Sequence, residues 1–182
     1  MAEFRILTDR LILREWRTDD AVAVHAIGRD ERVMAHMGPL MTEQDAQALV
    51  AGQMVNQRLF GHCFWAVECR SDGAIVGVCG LNPGPADTPL AGALEIAGWL
   101  AFEAWGKGYA CEAASACLDW AWRQPGVAAV AAMTARANDR SQRLMARLGM
   151  SRATGDDFDL PSLGASDPLR RQIVYRIARP DR

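Results

Sequence analysis

The stretch Trp105-Gly106-Lys107-Gly108-Tyr109-Ala110 limits what this chain can become more than any other. A strand-like apolar run, Leu94-Glu95-Ile96-Ala97-Gly98-Trp99-Leu100-Ala101, leads into it, and a helix-like run from Cys111 to Trp122 leads out. The glycines therefore fall at a strand-to-helix turn. The first N–H groups of a helix have no intrahelical partner, the helix dipole is positive at that end, and glycine lets a ligand approach the backbone closely. The spacing thus predicts an anion site, with a phosphate-bearing ligand as the first expectation.

Three kinds of phosphate loop compete for the stretch. A Walker A loop, G-x-x-x-x-G-K-[ST], would put Ala101 at its first glycine and Gly108 at its magnesium-binding hydroxyl, which disfavours nucleotide hydrolysis. A dinucleotide fingerprint would need a third glycine at Cys111 and an acidic residue about 20 positions later, where Gly126-Val127-Ala128-Ala129-Val130 is purely apolar. The coenzyme A pyrophosphate loop, [QR]-x-x-G-x-[GA], aligns with Glu103-Ala104-Trp105-Gly106-Lys107-Gly108 at both glycines and departs from it at Glu103.

Two further segments agree with the third reading. Asn138 to Met150 (NDRSQRLMARLGM) resembles the N-x-x-[AS]-x-x-L-x-x-x-[LM]-G-[FM] segment of GNAT-family N-acetyltransferases, at the separation from the glycine loop expected there. Thr8-Asp9-Arg10-Leu11-Ile12-Leu13-Arg14 is similar to the T-x-R-L-x-L-R opening of the branch holding the RimJ/RimL-type protein N-terminal acetyltransferases. The resemblance runs from about Thr8 to Arg179, nearly the whole chain.

At 182 residues the chain suits a single domain, 1–182, able to bury its own core. A net charge of -2 lacks the basic excess of a nucleic-acid binder, and no apolar stretch reaches the ~18 residues that suggest a membrane span. Cys63, Cys69, Cys79, Cys111 and Cys117 are odd in number and include no C-x-x-C pair. They read as core cysteines of a reduced, cytoplasmic protein, not as metal ligands.

Local patterns give the elements. Leu11 to Glu15 reads as a strand, and Thr18 as the cap of a helix running to about Gly28. Thr42-x-x-Asp45 opens a second helix with the stripe Ala46, Leu49, Val50 and Met54. Cys63–Cys69 and Ala74–Leu81 form a hairpin, and Val127–Ala135 is a strand covered on both faces. Ser141–Leu148 is a short helix and Arg171–Ile177 a last strand. This order implies an α/β (α+β) fold in which helices flank a mixed central sheet. The GNAT resemblance adds that the sheet is mostly antiparallel and that the strands before and after the glycine loop splay apart, so that a pantetheine arm lies between them.

The same resemblance implies acetyl-CoA as co-substrate, no metal, and transfer of the acetyl group to a primary amine by direct attack in a ternary complex. Backbone amides of Gly106, Lys107, Gly108, Tyr109 and Ala110 would face the pyrophosphate, with Trp105 beside them and the Lys107 ammonium either adding charge or standing in solvent. Backbone groups of Leu100, Ala101 and Phe102 would bond the pantetheine. Asn138 would bond the pantetheine or acetyl end, or simply cap its helix.

Many relatives carry a tyrosine seven residues after the asparagine, where this chain has Met145. Ser141 is the candidate substitute as proton donor to the leaving thiolate, with helix capping as its plain alternative. Glu95 shares a strand face with Ala97, Trp99 and Ala101 and is the candidate general base, against an ordinary solvated glutamate. Asp156, Asp157 and Asp159 either draw in an ammonium-bearing acceptor or are merely solvated. The acceptor remains open between a protein N-terminus and a small-molecule amine, as does the choice between monomer and homodimer. Met145 also leaves a non-catalytic acyl-CoA-binding module as the rival reading.

Overall fold

A computed structural model describes residues 3–181. Among the described residues nine strands form one sheet: β1 (Arg5–Leu7), β2 (Leu11–Arg14), β3 (Phe64–Cys69), β4 (Ile75–Pro83), β5 (Leu94–Leu100), β6 (Ala129–Ala135), β7 (Ser151–Arg152), β8 (Phe158–Asp159) and β9 (Arg171–Ala178). Their spatial order is β1-β2-β3-β4-β5-β6-β9-β7, with β8 also on β9. Every pairing is antiparallel except β5 with β6. Flanking it among the described residues are the α-helices α1 (Ala21–Gly28), α2 (Glu31–Met34), α3 (Glu43–Phe60), α4 (Tyr109–Ala121) and α5 (Asp139–Arg147).

The periodic segments fold as their patterns require. Thr42 and Asp45 close the expected capping box, and Gly61 ends α3 in the left-handed region at φ 75°. The small face of α4, Ala113, Ala114, Cys117, Leu118 and Ala121, is buried, which brings this helix close to the sheet. Trp65 is fully buried, stacked on Phe4 with ring centroids 4.8 Å apart.

Thr18 does not cap α1. Residues Thr18–Asp20 form a 3-10 turn instead, because the Asp20 carboxylate is drawn to Arg17 N–H (2.7 Å) and to the Arg14 guanidinium. The connection from Arg29 to Met41 contains α2, capped by Asp30 accepting from Arg32 N–H. Strands β1, β7 and β8 are too short to show a period in sequence.

The feature that matters most for the site is the β5–β6 junction. Only Leu94 with Val130 and Glu95 with Ala131 are paired, at the starts of the two strands. Beyond those pairs the strands part, leaving the rest of β5 with β4 alone and the rest of β6 with β9 alone. The expected splay is present, and α4 begins at its open end.

Candidate active site

Hydrogen bonding shows which backbone groups look into the split. Ala101 N–H donates to Val76 O at 2.9 Å, so Ala101 is turned to β4. Alternation in an antiparallel pair then turns the N–H and C=O of Gly98 and Leu100 away from β4, toward β6. The Leu100 carbonyl is already used, accepting from Trp105 Nε1 at 2.9 Å. Ala101 O and Phe102 O accept from Ala104 and Trp105 N–H in the tight turn that follows. Of the backbone groups expected to serve a pantetheine at Leu100, Ala101 and Phe102, those of Ala101 therefore face elsewhere. Gly98, unremarked in sequence, adds a free edge.

The glycine loop has the geometry expected of it. Gly106 and Gly108 have φ of 75° and 82°, values that a side chain makes costly. Glu112 N–H is the first in α4 to bond back, to Gly108 O at 3.1 Å. The amides of Tyr109, Ala110 and Cys111 before it thus have no intrahelical acceptor. The Lys107 side chain is exposed at the loop tip. A cavity of about 290 Å³ adjoins the loop on its β3–β4 side, lined in part by Ser71, Asp72, Glu103, Lys107 and Tyr109.

The start of α5 meets the loop. The Arg140 guanidinium lies 3.9 Å from the Trp105 ring centroid, a cation–π contact that joins the two sides of the split. Asn138 caps α5, its Oδ1 accepting from Ser141 N–H at 3.1 Å. That cap occupies the amide oxygen and leaves the Asn138 NH₂ group available. Ser141 contributes its backbone N–H to the cap, so its hydroxyl is not the capping group. Met145 is buried in the core with 4% exposure, which accounts for an apolar residue at that position.

The two faces of the sheet differ. Cys79, opposite Gly98, has its Sγ 3.8 Å from Cys117 Sγ of α4, so the face of Ile96, Gly98 and Leu100 lies beneath α4. Tyr175, opposite Ala132, hydrogen-bonds Gln142 of α5 at 3.5 Å, which places α5 on that same side. The face of Glu95, Ala97 and Trp99 looks the other way. There Asn82, opposite Glu95, is bonded to Gln53 and Asn56 of α3, and Trp99 packs with Ile27, Val33 and Met34 of α1 and α2. Glu95 and Ser141 therefore belong to opposite faces of the sheet, with Glu95 at the last β5–β6 pair before the strands part.

Glu95 is not a solvated strand glutamate. It is 6% exposed, and burial pushes its carboxyl up to about 7. Four residues along the same face, Trp99 Nε1 is buried with no hydrogen-bond partner. Such an orphan donor is costly unless a ligand atom accepts from it. In the sequence, nothing about Trp99 beyond its place on the Glu95 face signalled the unpaired N–H.

The acidic cluster is already neutralised. Asp156 is paired with Arg176 at 2.7 Å, Asp157 with Arg152, and Asp159 with Arg170 at 3.3 Å and Arg171 at 3.2 Å. Each of the three carboxylates thus has an arginine partner within the fold, which leaves less charge for an incoming ammonium. All five cysteines are free thiols, four of them buried. Among the described residues no group of three or more His, Cys, Asp or Glu side chains could hold a metal ion. No helix among the described residues is long and apolar enough to cross a membrane.

Comparisons with known proteins agree with this geometry. The family model of the acetyltransferase (GNAT) domain matches residues 10–151. Among curated proteins the chain is similar to the uncharacterized protein YkkB of Bacillus subtilis (strain 168), 29% identical over 150 residues, which are 82% of this chain and 86% of YkkB. Among solved structures it resembles an acetyltransferase from Agrobacterium tumefaciens, with 25% identity, a TM-score of 0.76 and coverage of 97% and 95% of the two chains. It shares its fold with RimL, a ribosomal-protein α-N-acetyltransferase solved in complex with coenzyme A, at 15% identity, a TM-score of 0.77 and coverage of 96% and 98%. With a family model covering most of its length, its split sheet and the free amides at the start of α4, this chain belongs to the GNAT family of acetyltransferases.

Proposed function

We propose that the protein transfers the acetyl group of acetyl-CoA to a primary amine by direct attack within a ternary complex. The observation that carries this reading is the split between β5 and β6, bounded at its open end by the free amides of α4 and flanked on the other sheet face by buried Glu95. Bound acetyl-CoA would supply the reactive thioester. Amides from Gly106 to Ala110 would hold its pyrophosphate, with Trp105 and Lys107 alongside, and the Gly98 and Leu100 backbone edge would hold its pantetheine. The Phe102 N–H and the Asn138 NH₂ would be further donors to the bound co-substrate.

Glu95 would take a proton from the incoming ammonium, directly or through one water, because its raised affinity for protons brings it near neutrality. The Ser141 hydroxyl, in the first turn of α5, would supply a proton to the departing thiolate. A hydrogen-bond-accepting atom of the amine substrate would satisfy Trp99 Nε1. Both a protein N-terminal amine, for which the RimL fold is a precedent, and a small amine bearing a nearby oxygen meet this requirement.

Acetyl-CoA titration by calorimetry, followed by thiol release with pooled peptides, amino acids, polyamines and aminoglycosides, tests the reading. Saturable binding with amine-dependent release is expected. Binding with no release from any acceptor would favour the non-catalytic acyl-CoA module, and a folded sample that does not bind would overturn the proposal. Ser141→Ala should lower kcat by roughly tenfold or more while acetyl-CoA affinity stays within about twofold, the pattern of a group that acts in the transition state. Unchanged single-turnover rates would remove Ser141 from the mechanism.

A further inference from the structure

The Thr8-x-Arg10 motif has no place in the chemistry above, yet the fold carries it to the start of α4. Glu112, in the first turn of that helix, accepts from Thr8 Oγ1 at 2.6 Å, from Arg10 N–H at 2.9 Å and from Arg10 Nε at 2.7 Å. The same guanidinium donates to the Lys107 carbonyl at 2.8 Å and lies over the Tyr109 ring, 4.7 Å from its centroid. One arginine thus holds a helix side chain, a loop carbonyl and an aromatic ring at once. A planar guanidinium with a fixed fork of donors can do this, and a lysine ammonium cannot.

The contact to Lys107 O bears on binding through the geometry of one peptide. In a trans peptide the C=O of one residue and the N–H of the next point in opposite directions. Arg10 lies on the β2–β3 side of the loop, where its own carbonyl accepts from Arg70 N–H at 2.9 Å. With Lys107 O drawn to that side, the Gly108 N–H is turned the other way, away from Arg10. Glycines on both sides of Lys107 make this peptide easy to rotate, so its direction needs an outside restraint.

Electrostatics add to the argument. A carboxylate in the first turn of a helix favours the helix but repels an anion bound there. Burial pushes Glu112 up, but Thr8 and Arg10 outweigh it and hold the carboxyl below its ordinary value, so it is charged. The Arg10 guanidinium, 2.6 Å from Glu112 Oε2, offsets that charge where an anion would approach.

We infer that Thr8 and Arg10 are positioning residues that set the Lys107–Gly108 peptide and screen Glu112, so that the loop at the start of α4 accepts the pyrophosphate of the acyl donor. The inference rests on the acetyl-CoA reading, and the test separates the two. Wild type, Arg10→Ala and Arg10→Lys are compared with acetyl-CoA and with S-acetylpantetheine, which bears the same thioester but no pyrophosphate. Thermal melting of each variant establishes that it is folded. Arg10→Ala is expected to lose about tenfold in kcat/KM with acetyl-CoA, mainly through KM, while changing S-acetylpantetheine turnover less than about twofold. Arg10→Lys should recover little, because the charge returns without the fork.

Equal losses on both donors would show a general structural effect and overturn the inference. Full recovery in Arg10→Lys would make Arg10 a plain charge, not a brace, and unchanged kinetics in Arg10→Ala would also refute it. If the wild type itself neither binds nor uses acetyl-CoA, the functional reading fails first and the inference falls with it.

Discussion

Glu95→Gln is expected to lower kcat/KM with an amine acceptor by roughly 10²-fold or more and to remove the acidic limb of the pH–rate profile. The wild-type rate should rise as pH climbs through about 7, the value to which burial pushes this carboxyl, because the proton acceptor is the ionised form. Glutamine keeps the shape and cannot accept the proton. A variant profile superimposable on the wild type would exclude Glu95 as the base.

The same substitution should affect stability in the opposite direction. Glu95 holds its proton more tightly in the folded chain than in the unfolded chain, where its ordinary value is 4.5. Between those values folding takes up a proton, so its contribution is fully present below the unfolded value and is lost as pH rises through about 7. Glu95→Gln removes this dependence. Above neutrality the variant should be the more stable by up to about 3 kcal/mol, the gap closing toward pH 4.5. Melting both proteins across that range checks the sign. Lower activity with higher stability is the signature of a buried carboxylate kept for chemistry.

Arg14→Ala is expected to destabilise the fold by about 3–5 kcal/mol. Arg14 is 3% exposed, and its guanidinium holds two carboxylates, both oxygens of Asp20 at 2.8 and 2.9 Å and Glu68 at 2.6 Å, besides the Glu15 carbonyl at 2.9 Å. These contacts tie β2 to β3 and to the turn before α1. Alanine would leave buried Asp20 without its cation, and lysine would not rescue it because one ammonium cannot reproduce the fork. The double variant Arg14→Ala/Asp20→Ala should cost less than the two single losses combined.

The acid response of this pair follows from Asp20. Burial pushes its carboxyl up, but hydrogen bonds from Arg14 and from Arg17 N–H outweigh it and hold the group below its ordinary value. Its stabilising contribution is therefore present above the ordinary carboxylate value and lost as pH falls through the lowered one. The difference between wild type and Arg14→Ala in denaturant melts should shrink on acidification. A difference that does not change with pH would show that Arg14 acts by packing alone.

The two motif arginines show how much of this molecule was legible beforehand. Arg10 and Arg14 were visible as parts of T-x-R-L-x-L-R, but nothing local told what either one holds. The partner of Arg10 is 102 residues away and Glu68 is 54 residues from Arg14. The short strands β1, β7 and β8 and the helix α2 escaped for a related reason, since two to four residues carry no period. Asp156, Asp157 and Asp159 looked like free charge because their arginine partners lie on β7, on β9 and in the segment leading into it.

Properties set by neighbours along the chain were readable from the residues alone. The turn at Gly106 and Gly108, the helix after it, the capping box at Thr42 and the hairpin of β3 and β4 all depend on contacts within a few positions. Order of motifs and resemblance supplied the family and the expected split. Whether a group is buried, paired or turned toward the site was decided by the fold, because each depends on sheet register and on where β5 and β6 part company. That register turned Ala101 to β4 and opened Gly98 to the split, buried Glu95 and left Trp99 Nε1 without a partner. The reason is physical: local preferences are summed over adjacent residues, whereas desolvation and long-range hydrogen bonds exist only once distant segments pack together.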